Sequence, residues 1–337
     1  MSLKPISLAL QGGGAHGAFT WGVLDYLLEH SDLDIKAITA TSAGAMNAVA
    51  LVSGYLNGGR DGARALLEAF WRDMSDRSAP LSAASAVAPA FGPFTPFAMF
   101  QALTNIASPY DLNPFDYNPL QQSLRKLIDF DQLRAETEID LFIASTNVET
   151  GKARIFKTHE IDEKAILSSA CLPQVFKAVE VDGTPLWDGG YVGNPALFPL
   201  FYADVPRDML IVHINPLVRK GTPKTASAIL DRLNEITFNA SLISELRSIA
   251  FVQKLLDENW LADRIQSKYR KLFIHAIRAD IELCELSIET KYDTSWRFLK
   301  DLRDRGRQAA EVWNDHHIGK VGRESSVDIR KEFLEDD

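Results

Sequence analysis

Apolar residues follow two different spacings in the first 50 residues of the chain. Residues 6–10 form a short, mostly apolar run, which is typical of a strand buried inside a parallel sheet. In residues 18–30 the apolar positions recur every three or four residues, which predicts an amphipathic helix. Residues 35–39 predict a second strand and residues 43–50 a second helix. This order predicts a parallel sheet that is covered by helices.

The rest of the chain continues the alternation and ends mainly in helices. Further strands are predicted at residues 141–146, 209–214 and 273–277, with a hairpin at residues 178–187. Residues 226–261 keep a three-to-four spacing of apolar positions, and residues 295–315 form the last predicted helix. We therefore expect an α/β fold followed by a mainly helical C-terminal part.

Two segments depart from these patterns. Residues 78–120 are rich in alanine, proline and phenylalanine and poor in charge. A packed irregular connection and an apolar lid over a site both agree with this composition, and the sequence does not choose between them. Residues 319–337 are charged, and we expect them to form a flexible tail.

Composition narrows the class of protein. The 337 residues are 46% hydrophobic and 24% charged, an ordinary globular balance with enough chain for a large core. A net charge of -9 argues against a nucleic-acid partner. Two distant cysteines suit a reducing compartment, and we find neither a signal peptide nor an apolar run long enough to span a membrane. We expect a cytoplasmic protein that is able to contact a membrane surface through a local apolar patch.

A glycine-rich loop follows the first strand. Gly12, Gly14 and Gly17 fit the G-x-G-x-x-G pattern of dinucleotide-binding folds. That fold also needs a carboxylate at the end of the second strand, where this sequence has Thr39 and Thr41 instead. A P-loop is excluded because no Lys-Ser or Lys-Thr pair follows Gly17. Phosphate binding is therefore disfavoured.

The second strand ends in a small-x-Ser-x-Gly sequence, residues 40–44, which is the pattern of a nucleophile elbow. Such a turn strains the serine, here Ser42, and needs small neighbours such as Ala40 and Gly44. The simpler interpretation is that Ser42 only caps the following helix. If the loops after both strands meet at the sheet edge, glycine-loop N–H groups and that of Ala43 face one oxygen above Ser42. We predict an oxyanion hole there, with Gly12, Gly13, Gly14 and Ala43 as its residues.

A base for Ser42 is harder to find among the histidines. The candidates that follow it in the chain are His159, His213, His275, His316 and His317. None lies in a motif, and His16 lies within the glycine loop itself. Asp188 does lie in a motif, because Gly189 and Gly190 follow it directly at the end of the predicted hairpin. Burial beside such bare backbone would raise the pKa of this carboxyl and make it a better base.

These three ordered motifs resemble those of the patatin-like phospholipase family. The matching segments are residues 12–17, 40–44 and 188–190, and residues 168–179 are also similar to the family, so the resemblance covers about residues 5–215. Two departures are Ala40, where the family usually has glycine, and His16, where the loop often carries Arg or Lys. In this resemblance the residues that support the motifs are Gly17, Ala40, Gly44, Gly189 and Gly190.

The resemblance implies a three-layer α/β/α fold with a mainly parallel central sheet. Residues 5–215 would form the catalytic domain and residues 225–318 a helical extension packed on it. The implied activity is hydrolysis of carboxylic esters of phospholipids or lysophospholipids, with a dyad of Ser42 and Asp188 and with neither metal nor cofactor. Ser42 would attack the ester carbonyl, Asp188 would accept its proton, and water would release the fatty acid.

Two other functions remain open at this point. One is a Ser-Asp-His esterase on other acyl esters, with His213 or His275 as base. The other is a catalytically silent nucleotide-binding or interaction protein. The expected partner is a lipid or acyl ester, with transient contact to a membrane surface. The amphipathic C-terminal helices offer a surface for a homodimer, and the sequence leaves the oligomeric state open.

Overall fold

The central element of the fold is one mixed β-sheet. The structure, a computed structural model, describes residues 3–86, 107–113, 116–135, 138–260 and 270–335. In these residues eight strands form the sheet in the order β5-β6-β3-β2-β1-β7-β8, and β4 also pairs with β3. The strands are β1 Lys4–Leu10, β2 Leu33–Ala40, β3 Asp140–Asn147, β4 Ala153–Lys157, β5 Val179–Val181, β6 Thr184–Asp188, β7 Asp208–His213 and β8 Phe273–Arg278.

The pairing directions place the predicted motifs at one edge of the sheet. β1 pairs in parallel with β2 and β7, whereas β6 runs antiparallel to β3. Leu10 is level with Ala40, so the loops after β1 and β2 begin side by side. Asp188 is level with Ser145 in β3, two residues beyond the partner of Ala40. The carboxyl ends of the parallel strands and the end of β6 therefore meet.

Helices cover the sheet. They are α1 Gly17–His30, α2 Ala43–Ala86, α3 Pro109–Leu112, α4 Pro119–Leu127, α5 Phe130–Arg134, α6 Glu163–Ser169, α7 Phe198–Tyr202, α8 Ala226–Asp257, α9 Asp280–Leu283 and α10 Trp296–His317. Non-helical backbone at Gly58 and Gly59 divides α2. Trp21 of α1 stacks on Trp296 of α10 with ring centres 5.9 Å apart, so the last long helix packs on the first. Within the described ranges, no helix combines the length and apolar character needed to cross a membrane.

The structure confirms the predicted mainly parallel α/β architecture and changes two expectations. The strand predicted at residues 273–277 is confirmed as β8, and it pairs in parallel with β7 although it lies in the part predicted as a mainly helical extension. The two predicted parts, residues 5–215 and 225–318, therefore both contribute strands to the same sheet. The expectation of a flexible tail is wrong for residues 319–335, because Val321, Ile329 and Phe333 are buried in the hydrophobic core.

Two local predictions and one missed strand complete the comparison. The helix predicted at residues 43–50 continues much further as α2, and β4 was not predicted at all. The β4 sequence ARIFK has only two consecutive apolar residues, set between Arg154 and Lys157, so it offered no apolar run of strand length. Much of the predicted lid or connection, including residues 87–106 and 114–115, lies outside the described residues.

Candidate active site

Ser42 occupies a strained turn between β2 and α2. Its φ of 54° lies in the left-handed region, which residues other than glycine rarely adopt. A residue that caps a helix N-terminus normally has an extended backbone, so this conformation does not match the simple capping interpretation. The Ser42 N–H donates to Ser169 Oγ at 2.9 Å, and Ser169 Oγ donates to Ala144 O at 2.7 Å. The turn is thus held by α6 and β3.

Gly12 lies directly against this serine. A Cβ at Gly12 would come within 2.6 Å of Ser42 Cβ, so only glycine allows the two backbones to approach so closely. The Gly12 N–H donates to Asn194 Oδ1 at 2.7 Å. Because this N–H already has a buried acceptor, it is not available to an oxyanion. The prediction that Gly12 belongs to the donor set is therefore wrong.

The other predicted donors have a different environment. The N–H groups of Gly13, Gly14 and Ala43 make no hydrogen bond within the described part of the chain. Ala43 opens α2, where the first amides of a helix are free of intrahelical partners and carry its positive dipole end. A Cβ on Gly17 would approach the Ala43 Cβ to 2.7 Å, so the glycine loop and the start of α2 are in contact. These N–H groups are available to an anion.

Asp188 ends β6 and is completely buried. Its Oδ1 accepts the Gly190 N–H at 2.7 Å, whereas its Oδ2 has no hydrogen-bond partner at ideal geometry among the described residues. Burial raises the pKa of the Asp188 carboxyl to about 7. The Gly190 amide and the Ser42 hydroxyl act against this rise in pKa, as does the charge of Lys291. The structure therefore brings the Ser42 hydroxyl and the Asp188 carboxyl within interaction distance of each other.

The turn after Asp188 is fixed against β3. A Cβ at Gly189 would lie 2.2 Å from Ala144 O, so this position requires glycine. Thr146 Oγ1 donates to Asp188 O at 2.7 Å, and Asp188 N–H donates to Cys171 O at 2.8 Å. The aspartate backbone is thus held on both sides. Gly44, the remaining glycine of the elbow, lies against the end of β1.

The histidines are engaged elsewhere. His213 Nε2 bonds to Asn239 Oδ1 at 3.1 Å, and burial lowers the pKa of His213 to about 4. His275 Nε2 bonds to Asp208 Oδ1 at 3.0 Å, at the opposite end of the sheet from Ser42. His16 Nε2 bonds to Thr290 Oγ1 at 2.7 Å, and burial lowers the pKa of His16 to about 3. His16 is therefore neutral at physiological pH.

A buried network of amide side chains surrounds the glycine loop and was not predicted from sequence. Gln11 Nε2 donates to Asn194 O and to Asn239 Oδ1, and Gln11 Oε1 accepts the N–H groups of Ile214 and Asn215. Both Asn194 and Asn215 precede a proline just after a structured element, and this Asn-Pro pairing is the one signal that would have singled them out. The network ties β1 to the segments after β6 and β7.

Residues beyond position 215 also cover the site. Phe238 of α8 packs edge-on against Tyr191 with ring centres 5.7 Å apart, and a Cβ on Gly190 would meet its ring at 2.5 Å. Lys291, in the 3-10 turn Ile288–Tyr292, places its ammonium 5.6 Å from the centre of the Phe238 ring. The extension thus closes over the Asp188 turn. No motif in the sequence marked either residue.

The site is a closed crevice. Ser42 is 8% exposed and Asp188 is fully buried, so little of the site is open to solvent in this structure. Among the described residues, no three His, Cys, Asp or Glu side chains lie close enough together to hold a metal ion. The chemistry that this arrangement supports is that of a hydroxyl, a carboxylate and backbone N–H groups.

Comparison with known proteins agrees with the motifs. A family model described as Patatin-like phospholipase matches residues 8–203. Among solved structures, VipD from Legionella pneumophila is 15% identical with a TM-score of 0.37, over 98% of this chain and 73% of that one. ExoU of the Pseudomonas aeruginosa type III secretion system, solved with SpcU, is 16% identical with a TM-score of 0.31, over 92% of this chain and 54% of that one. No curated protein matches significantly. The family model spans more than half of the sequence, so the chain belongs to the patatin-like phospholipase family.

Proposed function

We propose that this member of a lipid hydrolase family cleaves carboxylic esters of phospholipids or lysophospholipids through a dyad of Ser42 and Asp188. The observation that carries the proposal is a fully buried carboxylate, with one unsatisfied oxygen, beside a hydroxyl on a strained turn. A buried carboxyl with an incompletely satisfied oxygen is costly for stability, and carboxyls with strongly perturbed pKa values are concentrated at functional sites.

The reaction proceeds in two halves. Asp188 accepts the proton of Ser42 Oγ as this oxygen attacks the ester carbonyl carbon, and the carbonyl oxygen becomes an oxyanion. The N–H groups of Gly13, Gly14 and Ala43 stabilise that oxyanion. Asp188 then returns the proton to the departing alcohol oxygen, and the acyl group stays on Ser42. Water attacks the acyl carbon while one of its protons passes to Asp188, and Asp188 then gives that proton to Ser42 Oγ as the acyl C–O bond breaks and the fatty acid leaves.

The electrostatics suit this assignment. A general base works best when its pKa lies near the working pH, and burial raises the pKa of Asp188 to about 7. An ordinary aspartate would be a much weaker base. His213 and His275 bond to Asn239 and Asp208, and these partners favour Asp188 as the base for Ser42. Since lipids of this class reside in bilayers, we place the reaction at a membrane surface.

Active-site labelling tests the proposal. A fluorophosphonate probe should label the wild-type chain on the peptide that carries Ser42, and the Ser42→Ala variant should not be labelled. Replacement of the exposed Ser248 by alanine is the matched control and should leave labelling intact. Products from a panel of phosphatidylcholine, lysophosphatidylcholine and diacylglycerol then identify the ester class.

Two results would overturn the proposal. Absence of any adduct at Ser42 in folded protein would favour a catalytically silent protein. Full hydrolysis by Asp188→Asn, together with loss in His213→Gln or His275→Gln, would instead assign a histidine base. Hydrolysis of diacylglycerol without hydrolysis of either phospholipid would keep the dyad and refute the substrate class.

A further inference from the structure

The peptide group between Gly12 and Gly13 is held from one side by side chains that belong to no recognised motif. Its carbonyl, Gly12 O, accepts Asn215 Nδ2 at 2.7 Å and Asn194 Nδ2 at 3.4 Å. Asn194 Oδ1 also accepts the Gly12 N–H at 2.7 Å. Both polar groups of Gly12 are therefore fixed, although glycine backbone is the most easily rotated of all.

Asn215 has one orientation available. Its backbone N–H donates to Gln11 Oε1 at 2.9 Å, and its carbonyl accepts Asn239 Nδ2 at 3.2 Å. Its side-chain Oδ1 accepts Lys291 Nζ at 2.7 Å. An ammonium group only donates hydrogen bonds, so the amide oxygen must face Lys291 and the amide nitrogen must face Gly12. Asn215 is also completely buried, which leaves it no alternative partner in water.

Peptide geometry carries this constraint to the next N–H. In a planar trans peptide the C=O and N–H bonds point in opposite directions. A Gly12 carbonyl held by Asn215 therefore directs the Gly13 N–H away from Asn215. Hydrogen bonds in a chain also polarise one another, so a donor on Gly12 O makes the Gly13 N–H a stronger donor.

We propose that Asn215, oriented by Lys291, is the positioning residue that holds the Gly13 N–H toward the reacting oxygen above Ser42. Rotation of this peptide by half a turn would present a carbonyl oxygen to the oxyanion, which repels it. The inference rests on the proposed esterase function and adds to it a residue from the segment after β7 and another from the C-terminal extension. Neither side chain touches the substrate in this scheme.

The test compares two isosteric changes. Asn215→Asp keeps an acceptor for Lys291 and loses the donor to Gly12 O, and Asn57→Asp makes the same change at an exposed position. We expect Asn215→Asp to lower kcat for a p-nitrophenyl ester about 10²-fold with little change in KM, as when one oxyanion donor is lost. Binding of a trifluoromethyl ketone, which Ser42 converts into a hemiketal oxyanion, should weaken in proportion. Asn57→Asp should change neither quantity.

A second variant covers the case in which Asn215→Asp does not fold. Lys291→Met removes the group that orients Asn215 and should lower kcat about tenfold, as for other groups that orient an active-site ligand. The rate is taken on the plateau above the ionisation of Asp188, because Lys291 also affects that ionisation. The exposed Lys220→Met is the control.

The outcomes separate this inference from the proposed function. Wild-type kcat in folded Asn215→Asp or Lys291→Met would overturn the positioning role while leaving the dyad untouched. A lower melting temperature with unchanged kcat and unchanged ketone affinity would assign Asn215 a purely structural role. Absence of Ser42 labelling in the wild type would instead refute the esterase itself.

Discussion

Two buried aspartates lie at opposite ends of the sheet, and their surroundings differ. Asp208 begins β7, and its Oδ1 accepts both His275 Nε2 at 3.0 Å and the Gly322 N–H at 2.7 Å. Asp188 ends β6 and has a single backbone donor on one oxygen. Both carboxyls are nearly or fully inaccessible to solvent. Asp208 therefore links β7 to β8 and to the C-terminal segment. Asp188 Oδ2, in contrast, has no hydrogen-bond partner among the described residues.

The difference shows how one residue type serves two purposes. A buried carboxylate that receives enough hydrogen bonds stabilises the folded chain. One that lacks them destabilises the fold but holds its proton more strongly, which makes it a useful base. We therefore expect changes at Asp188 to affect mainly activity and changes at Asp208 to affect mainly stability.

The largest expected effect is on catalysis. Asp188→Asn keeps the shape of the side chain and removes the base, so kcat/KM for an acyl ester should fall about 10⁴-fold, as in other hydrolases that lose a triad carboxylate. Circular dichroism and thermal unfolding should show an intact fold. Activity within tenfold of wild type would remove the contrast between the two aspartates.

The same substitution should stabilise the chain in a pH-dependent way. The pKa of Asp188 is raised to about 7 in the folded protein from its ordinary value near 3.8, so its contribution to stability is full at low pH and is lost as pH rises through about 7. Asparagine does not titrate. The gain in unfolding free energy of Asp188→Asn should therefore grow between about pH 4 and pH 7, to at most about 4 kcal/mol. Urea unfolding at several pH values measures it, and a gain independent of pH would contradict it.

Asp208 should give the opposite result. Asp208→Ala leaves the buried His275 and Gly322 donors without their acceptor, so the free energy of unfolding should fall by about 1–3 kcal/mol. Esterase activity per folded molecule should be unchanged at a temperature below the transition. Asp61→Ala, on a side chain that is 96% exposed, is the control and should have almost no effect on stability. A selective loss of activity in Asp208→Ala would break the comparison.

The smallest expected effect is the pH dependence of kcat/KM for the wild-type chain. Only ionised Asp188 accepts a proton, so kcat/KM should fall on the acid side of about pH 7. One pH unit below that midpoint the loss should be about tenfold. An acid limb near pH 4 would indicate a carboxylate with ordinary solvation, and a limb that disappears in a histidine variant would indicate a histidine base.

The motifs around Ser42 and Asp188 are visible in the sequence because their steric requirements are local. A strained serine needs small neighbours. A Cβ at position 189 would lie only 2.2 Å from Ala144 O, so that position requires glycine. The strands β1, β2, β3, β7 and β8 were predicted for a similar reason, since each lies in a short and mainly apolar segment. Chemistry that depends on adjacent residues is therefore visible in the sequence.

Partners that come from far along the chain were not predicted. Asn194 takes up the Gly12 N–H across 182 residues, which is why Gly12 was wrongly assigned as an oxyanion donor. Lys291 reaches Asn215 across 76 residues. These contacts depend on how the extension folds back over the sheet, and no spacing between neighbouring residues encodes that path.

β8 and Lys291 lie far along the chain from Ser42, and this has a consequence for folding during synthesis. Translation delivers the serine elbow first, and domains generally form as their segments leave the ribosome. The outer edge of β7 stays unpaired until β8 emerges, and the Gly12 carbonyl lacks its oriented partner until residue 291 has been synthesised. We therefore expect chains that end before residue 291 to lack the activity proposed above.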